Sequence, residues 1–522
     1  MAAFEPEMDV SGLECHFKWF NELDNGVNRK WLSALLNKQL HNDLRNRIEG
    51  PVIENSDEFL DEADEHQYIL DSQRLAILSW RFTLILRATF EKNFADAFQI
   101  TKELLSLKEV QNLSQSQVHI DNFLFVVLAN QLNILKGWRS LVDCPVNDDE
   151  VIEIWNKIKS LKNSCESNEG KAFVNAMKSN LSRDMQDPQS RIDFAQKATE
   201  LNPECICWHL TLYAALRNHR RSMDFRQHPS QQEIDCCEKA SELWLNQHGS
   251  DISIGVAVHM ARLYSELLFT CERGTPQHQE IFTKAVKFTR DAVRLRPKSL
   301  TMKMRLVSLL TSYHIFRNRG NSNEERAEVQ TLVKECEADI SRCTSEICHK
   351  IGKYYNSTQN DDFNSVTALE WFEKSLYVHK TNFPCFADML RNEEFRRKSS
   401  AEIIDKIDTI LDASPKQGFQ CQLMFIKGFF LWSVDKEATL HLWLNAVEEA
   451  TDLNVNFVSL ALHNMCFLKN RSRSQALQMM RDVRFFMSRN ELANSDDRSF
   501  MVLKNIVNSV IEGLEQPKPR WN

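Results

Sequence analysis

Residues 284–297 read KAVKFTRDAVRLRP, and SLTMKMRLVSLL follows almost at once at 299–310. Ala285 and Ala292 fall on one face of a helix two turns apart, and Pro297 closes that helix. Small residues at this interval let a neighbouring helix approach closely, while the larger residues between them fill the gaps to the next unit. A helix that ends in this way and is followed directly by another is one half of a helix–turn–helix repeat about 34 residues long.

Working outward, ICHKIGKYY (347–355) places Ile351-Gly352 and Tyr355 as in the first helix of such a unit. After the longer loop NSTQNDDFNS (356–365), ALEWFEKSL (368–376) places Ala368 and Phe372 as in the second. FIKGFFLW (425–432), with Gly428, and ATLHLWLNAVEEA (438–450) make another pair. FAQKATELNP (194–203) runs into ECICWHLTLYAALR (204–217), a helix end meeting a helix start. Phe94 and Ala97 sit at repeat positions in NFADAFQITKELLSL (93–107), and FLFVVLANQLNILKGW (123–138) with EVIEIWNKIKSL (150–161) gives one more unit. The spacing predicts an all-α superhelical solenoid of divergent tetratricopeptide repeats. SCESNEG (164–170), RNHRRSMDFRQHPS (217–230), TCERGTPQHQ (270–279) and RNRGNSNEERAEVQ (317–330) read as loops, the last capping a helical hairpin insertion. We expect an N-terminal subdomain at 1–230, a central one with the hairpin at 231–400, a C-terminal one at 401–512 and a disordered tail at 513–522.

Composition agrees. Gly (13) and Pro (12) are scarce in 522 residues, too few for the turns of a sandwich or barrel, whereas 31 Phe and 11 Trp supply a large core. The net charge of −8 argues against a generally basic, duplex-coating protein, so no DNA partner is expected, although a basic cavity inside an acidic shell remains compatible. MAAFEPEMDV (1–10) carries no signal-peptide pattern, and no run approaches 18 uncharged apolar residues, so we expect no membrane segment and a cytoplasmic setting. The 14 cysteines then read as reduced thiols. No phosphate loop, dinucleotide fingerprint, HExxH or GxSxG pattern occurs, so the expectation is a binding protein and not an enzyme, with no cofactor. Cys343, Cys348 and His349 lie close in sequence, but buried thiols explain them better than a metal site, and none is expected.

Three basic clusters stand out: Arg290, Arg294, Arg296, Lys298, Lys303 and Arg305; Arg217, Arg220, Arg221 and Arg226; and Arg396, Arg397 and Lys398. Most read as solvated faces. Arg217 in LYAALRN and Arg305 in KMRLVSLL differ, because each sits among apolar residues on a first helix. A charge so placed is costly unless it is paired or meets a ligand.

The chain resembles the interferon-induced proteins with tetratricopeptide repeats. SGLECHFKWF (11–20) is similar to that family's N-terminal Leu-x-Cys-His-Phe-x-Trp segment. Phe194–Leu263 follows the family order: a helix ending in Leu-x-Pro-Glu, a Tyr-Arg close in YAALR, a loop ending in HPS, then QQEIDCCEKASELW and IGVAVHMARLY. The resemblance implies binding of single-stranded RNA 5′ ends, carrying triphosphate or an undermethylated cap, in a basic internal cavity, and a role in antiviral defence or translational control. Carried over by motif, Arg217, Arg305, His349 and Lys350 are the implied 5′-phosphate residues, expected to line one cavity, with Arg29, Gln39 and Lys171 as additional candidates. Arg would supply bidentate charge-assisted bonds and Lys a point charge. Lys171 and Asn175 in EGKAFVN stand where the family has Trp and Lys, which removes a stacking partner for a cap. The alternative is a scaffold that binds protein partners through its repeat grooves.

Overall fold

The structure, a computed structural model, describes residues 84–85, 88–89, 91–106, 116–141, 144–184, 188–223, 227–249, 251–272, 274–317, 323–340, 343–357, 362–413, 417–449, 473–489 and 498–515. Among these there are 20 helices and no strand. The chain divides into two compact units, Met1–Ser322 and Asn323–Asn522.

The first unit holds α1 (Phe94–Ser106), α2 (Gln117–Leu141), α3 (Asp148–Glu166), α4 (Asn168–Asp184), α5 (Pro188–Leu201), α6 (Ile206–Met223), α7 (Gln231–His248), α8 (Ile254–Thr270), α9 (Pro276–Leu295) and α10 (Leu300–Arg317). The second holds α11 (Asn323–Ala338), α12 (Ser345–Tyr355), α13 (Ser365–Val378), the short α14 (Phe383–Met389) and α15 (Glu393–Arg397), α16 (Ser400–Asp412), α17 (Gln417–Leu431), α18 (Lys436–Glu449), α19 (Arg473–Arg489) and α20 (Arg498–Glu515). Successive helices pack as pairs: α2 with α3, α4 with α5, α6 with α7, α8 with α9, α12 with α13, α17 with α18 and α19 with α20. In the first unit the opening helices also meet one another, α2 on α4 and α4 on α6, so they share a face. This is the α-solenoid of divergent tetratricopeptide-type pairs that the spacing predicts.

The contacts follow from the small residues. Ala285, Ala292 and Ala368 are all fully buried. A Cβ on Gly352 would lie 2.6 Å from two ring carbons of Phe372 and 3.2 Å from the Ala368 carbonyl oxygen, so α12 and α13 touch where the sequence placed them. A Cβ on Gly428 would run into the Trp443 indole at Nε1, the same device in the α17–α18 pair.

Helix starts are set by side-chain caps. Ser230 and Glu233 form a capping box on α7, and Thr275 caps α9 with a proline in its first turn. Three expected loops are shorter than the sequence suggests. Residues 217–223 continue α6, and 323–330 belong to α11. SCESNEG is no loop either: α3 and α4 are separated by Ser167 alone, whose Oγ accepts from Gly170 N at 3.0 Å. Ser, Asn and Gly mark breaks, but a serine cap turns the chain within a single residue.

Among the described residues one helix, over Gln117–Arg139, is long and apolar enough to cross a membrane by length and composition, although it is not an unbroken run of 18 uncharged apolar residues. Of its apolar window 72% is buried inside the protein, with Phe123, Val126, Val127, Leu132 and Leu135 in the core of the first unit.

Candidate anion site on the first helices

The first helix of one pair, α6, carries Tyr213, Arg217, Arg220 and Arg221 in register. The next first helix, α8, carries His259, Arg262 and Glu266 on one side. Glu266 is the hub between them. Its Oε1 accepts from Arg217 Nε at 2.8 Å and from Arg221 Nη1 at 3.0 Å, and its Oε2 accepts from Arg220 Nη2. Arg220 is also held by Glu233, the capping-box carboxylate of α7, at 2.9 and 3.1 Å, and by the Gln227 carbonyl at 2.7 Å. Burial alone would raise the Glu266 carboxyl, but the charge and hydrogen bonds of Arg217, then those of Arg220 and Arg221, hold it below the ordinary glutamate value.

Deeper in the cluster, the Tyr213 ring meets the His259 ring edge-on at 5.5 Å. The Tyr213 hydroxyl and His259 Nδ1 are both enclosed, and neither has a hydrogen-bond partner among the described residues. The His259 ring keeps some exposed surface, while its Nδ1 is buried. Burial pushes its pKa down to about 3, helped by the positive charges of Arg262, Arg217 and Arg305 in that order. Burial raises the Tyr213 phenol, with the cysteine at 237 adding to it and Arg217 opposing. His259 and Tyr213 are therefore neutral, one a hydrogen-bond donor or acceptor and the other a hydroxyl donor, and the charges of arginines on α6, α8 and α10 reach His259.

Two of the implied phosphate residues, Arg217 and Arg305, thus act on one point, His259. Lys171 is exposed on the opening turn of α4. Arg29, Gln39 and Arg226 lie outside the described residues. His349 and Lys350 belong to α12 in the second unit. There His349 Nε2 bonds Asp388 Oδ2 at 2.8 Å and Lys350 pairs with the exposed Glu346 at 2.7 Å, one turn back on the same helix. Burial raises the Asp388 carboxyl, but the His349 hydrogen bond and the charge of Lys353, then His349 and Arg391, bring it below the ordinary value. Cys343 Sγ donates to the Cys336 carbonyl at 3.3 Å and Cys348 Sγ to the Cys343 carbonyl at 3.9 Å, so these thiols serve the backbone. Among the described residues no group of three or more His, Cys, Asp or Glu could hold a metal ion. In the other basic clusters, Arg294 lies 3.4 Å from Asp291, Arg397 2.6 Å from Glu394 and Lys398 3.2 Å from Glu373, while Lys303 is buried.

Sequence reasoning missed Tyr213, His259, Arg262 and Glu266 as site residues. The signal was present for two of them. His259 and Arg262 interrupt IGVAVHMARLY, as Arg305 interrupts KMRLVSLL, and the same criterion selects them. Glu266 had no local signal, because its role comes from a neighbouring helix.

No family model and no curated protein matches the chain. Among solved structures, a human IFIT1 dimer with m7Gppp-AAAA is 13% identical, over 96% of this chain and 98% of that one, with a TM-score of 0.46. Human IFIT1 with PPP-AAAA is 13% identical over 96% of each chain, at 0.45. A thermophilic TPR protein from Thermus thermophilus is 12% identical over 40% of this chain and 93% of its own, at 0.30. The assignment of the fold rests on the helix pairs themselves.

Proposed function

We propose that this protein is a non-enzymatic binding protein whose first unit holds the 5′ phosphates of single-stranded RNA on Arg217, Arg262 and Arg305. The observation that carries the reading is the pair of buried, unpartnered polar atoms, the Tyr213 hydroxyl and His259 Nδ1, with the charges of those arginines acting on His259. A buried hydroxyl without a partner loses on the order of 1–3 kcal/mol, which an anionic oxygen seated against it would restore. Arginine forks suit phosphate, and neutral His259 adds a contact without a competing charge. The choice of an RNA 5′ end as the anion comes from the sequence resemblance, and so does the cytoplasmic antiviral or translational setting. His349 and Lys350 are further candidates by motif.

A second reading has its own observation. Glu266 already braces α6 against α8 through three arginines, and His349 is tied to Asp388. Together with exposed apolar residues such as Tyr377 (87% exposed) and Val378, this favours a rigid scaffold for protein partners. Filter binding with 5′-triphosphate and 5′-hydroxyl single-stranded RNA separates the two. The phosphate reading expects a clear preference for triphosphate that weakens steeply with salt. It also expects a loss of about 1.5–3 kcal/mol for Arg305→Ala or Arg262→Ala. Equal, weak binding of both RNAs leaves the scaffold.

A further inference from the structure

The arginine cluster has an inner and an outer end. On α6, Tyr213 lies one turn before Arg217, and Arg221 one turn after it. On α8, His259, Arg262, Glu266 and Phe269 follow at three- and four-residue steps, so all four stand on one side of the helix. Tyr213 meets His259 at one level, and Arg217 and Arg221 meet Glu266 further along, so the two helices run in the same direction here. From His259 to Phe269 the helix advances about 15 Å. Burial falls along that line: Tyr213 is 1% exposed, whereas Phe269 is 75% exposed. Arg221, at the outer end of α6, is also partly open, with its side chain 43% exposed.

A phenylalanine this exposed, one turn beyond a carboxylate that gathers three arginines, suits a flat aromatic ligand that carries negative charge. An apolar protein surface seated on Phe269 would have to strip water from Arg221 and Glu266 as well. A nucleobase would not, because its phosphates take the arginines while its ring face covers the phenyl. Every base has a π-face, so such stacking tolerates any sequence.

We infer that Phe269 is the stacking platform for the first nucleobase of the bound strand. The inference rests on the phosphate reading above. The 5′ phosphates extend inward over Arg217 and Arg262 toward the Tyr213 hydroxyl, the first ribose passes Arg221, and its base lies on Phe269. The site then requires a 5′ nucleoside with an intact base but reads no hydrogen-bond pattern on it.

The test uses the full-length chain and three single-stranded RNAs of otherwise identical sequence: one with a 5′-triphosphate, the same RNA with an abasic first nucleotide, and one with a 5′-hydroxyl. Phe269→Ala, a surface change whose folding is checked by circular dichroism, should weaken the intact triphosphate RNA by about 5- to 100-fold, the worth of one base–aromatic stack. It should leave the abasic RNA within about twofold of wild type, and Phe269→Trp should restore tight binding of the intact RNA. Unchanged affinity of Phe269→Ala for the intact RNA would overturn the inference. So would an equal loss on the abasic RNA, which would make Phe269 a shaper of the arginine cluster. Failure of the wild-type chain to prefer 5′-triphosphate over 5′-hydroxyl RNA would overturn the phosphate reading itself.

Discussion

Replacing Gly352 with alanine adds one methyl group on α12 at the point where α13 comes nearest. Two effects oppose each other. In a helix interior alanine is favoured over glycine by about 0.8–1 kcal/mol. Against that, the new Cβ would stand 2.6 Å from two carbons of the Phe372 ring and 3.2 Å from the Ala368 carbonyl oxygen. Overpacking of this kind costs typically about 1–3 kcal/mol. The outcome depends on whether the ring can yield. Phe372 is fully buried, its carbonyl accepts from Cys385 Sγ at 3.5 Å, and its ring lies 6.0 Å from that of His349. Closely packed on these sides, it has little room to move. The expectation is therefore a net loss of about 1–2 kcal/mol for Gly352→Ala, and a larger one, near or above about 3 kcal/mol, for Gly352→Leu. Urea unfolding followed by circular dichroism measures both. The double variant with Phe372→Leu completes the argument, because a smaller neighbour should recover at least about 1 kcal/mol of coupling. A Gly352→Ala protein as stable as wild type, or a strictly additive double variant, would refute the contact as the reason for the glycine.

Three further outcomes are expected. Gly428→Ala should cost more than Gly352→Ala and alter tryptophan fluorescence, because its Cβ would meet Trp443 Nε1 still more closely, and that nitrogen donates to the Phe425 carbonyl at 3.1 Å. Arg220→Met should lower stability by about 3–5 kcal/mol in a guanidinium titration by stranding the Glu233 carboxylate, which is only 2% exposed, and adding Glu233→Gln should return part of the loss. His259, with its pKa pushed down to about 3 against an unfolded value of about 6.5, binds its proton only when the chain unfolds. Its contribution to stability is complete above about pH 6.5 and is lost as the pH falls toward 3, by at most about 1.4 kcal/mol per unit. Unfolding free energies from urea titrations at pH 7 and pH 5 should therefore differ by about 2 kcal/mol more in wild type than in His259→Gln.

The repeat architecture was legible in the sequence because it is made by local spacing. Ala285 and Ala292, Gly352, Ala368 and Phe372, and Gly428 each follow a helical period, and each is found where two helices touch. A period of 3.6 residues and a requirement for small side chains are properties of a short segment, so a short segment reveals them. The arginines could be picked out for a related reason: Arg217 and Arg305 interrupt apolar faces, and such an interruption shows in one helix alone. Which charges meet was not legible. Glu266 is 49 residues from Arg217 and 33 from Glu233, yet its carboxylate and that of Glu233 decide what the arginine cluster faces. His349 likewise finds Asp388 on the short helix α14, not on its own repeat partner α13. The neutrality of His259 has the same origin, since burial and arginines from three helices set it. Periodicity thus determined the fold from the sequence by itself. The identity of the site was left to the tertiary structure, because an ion pair depends on distances between helices that no local pattern encodes.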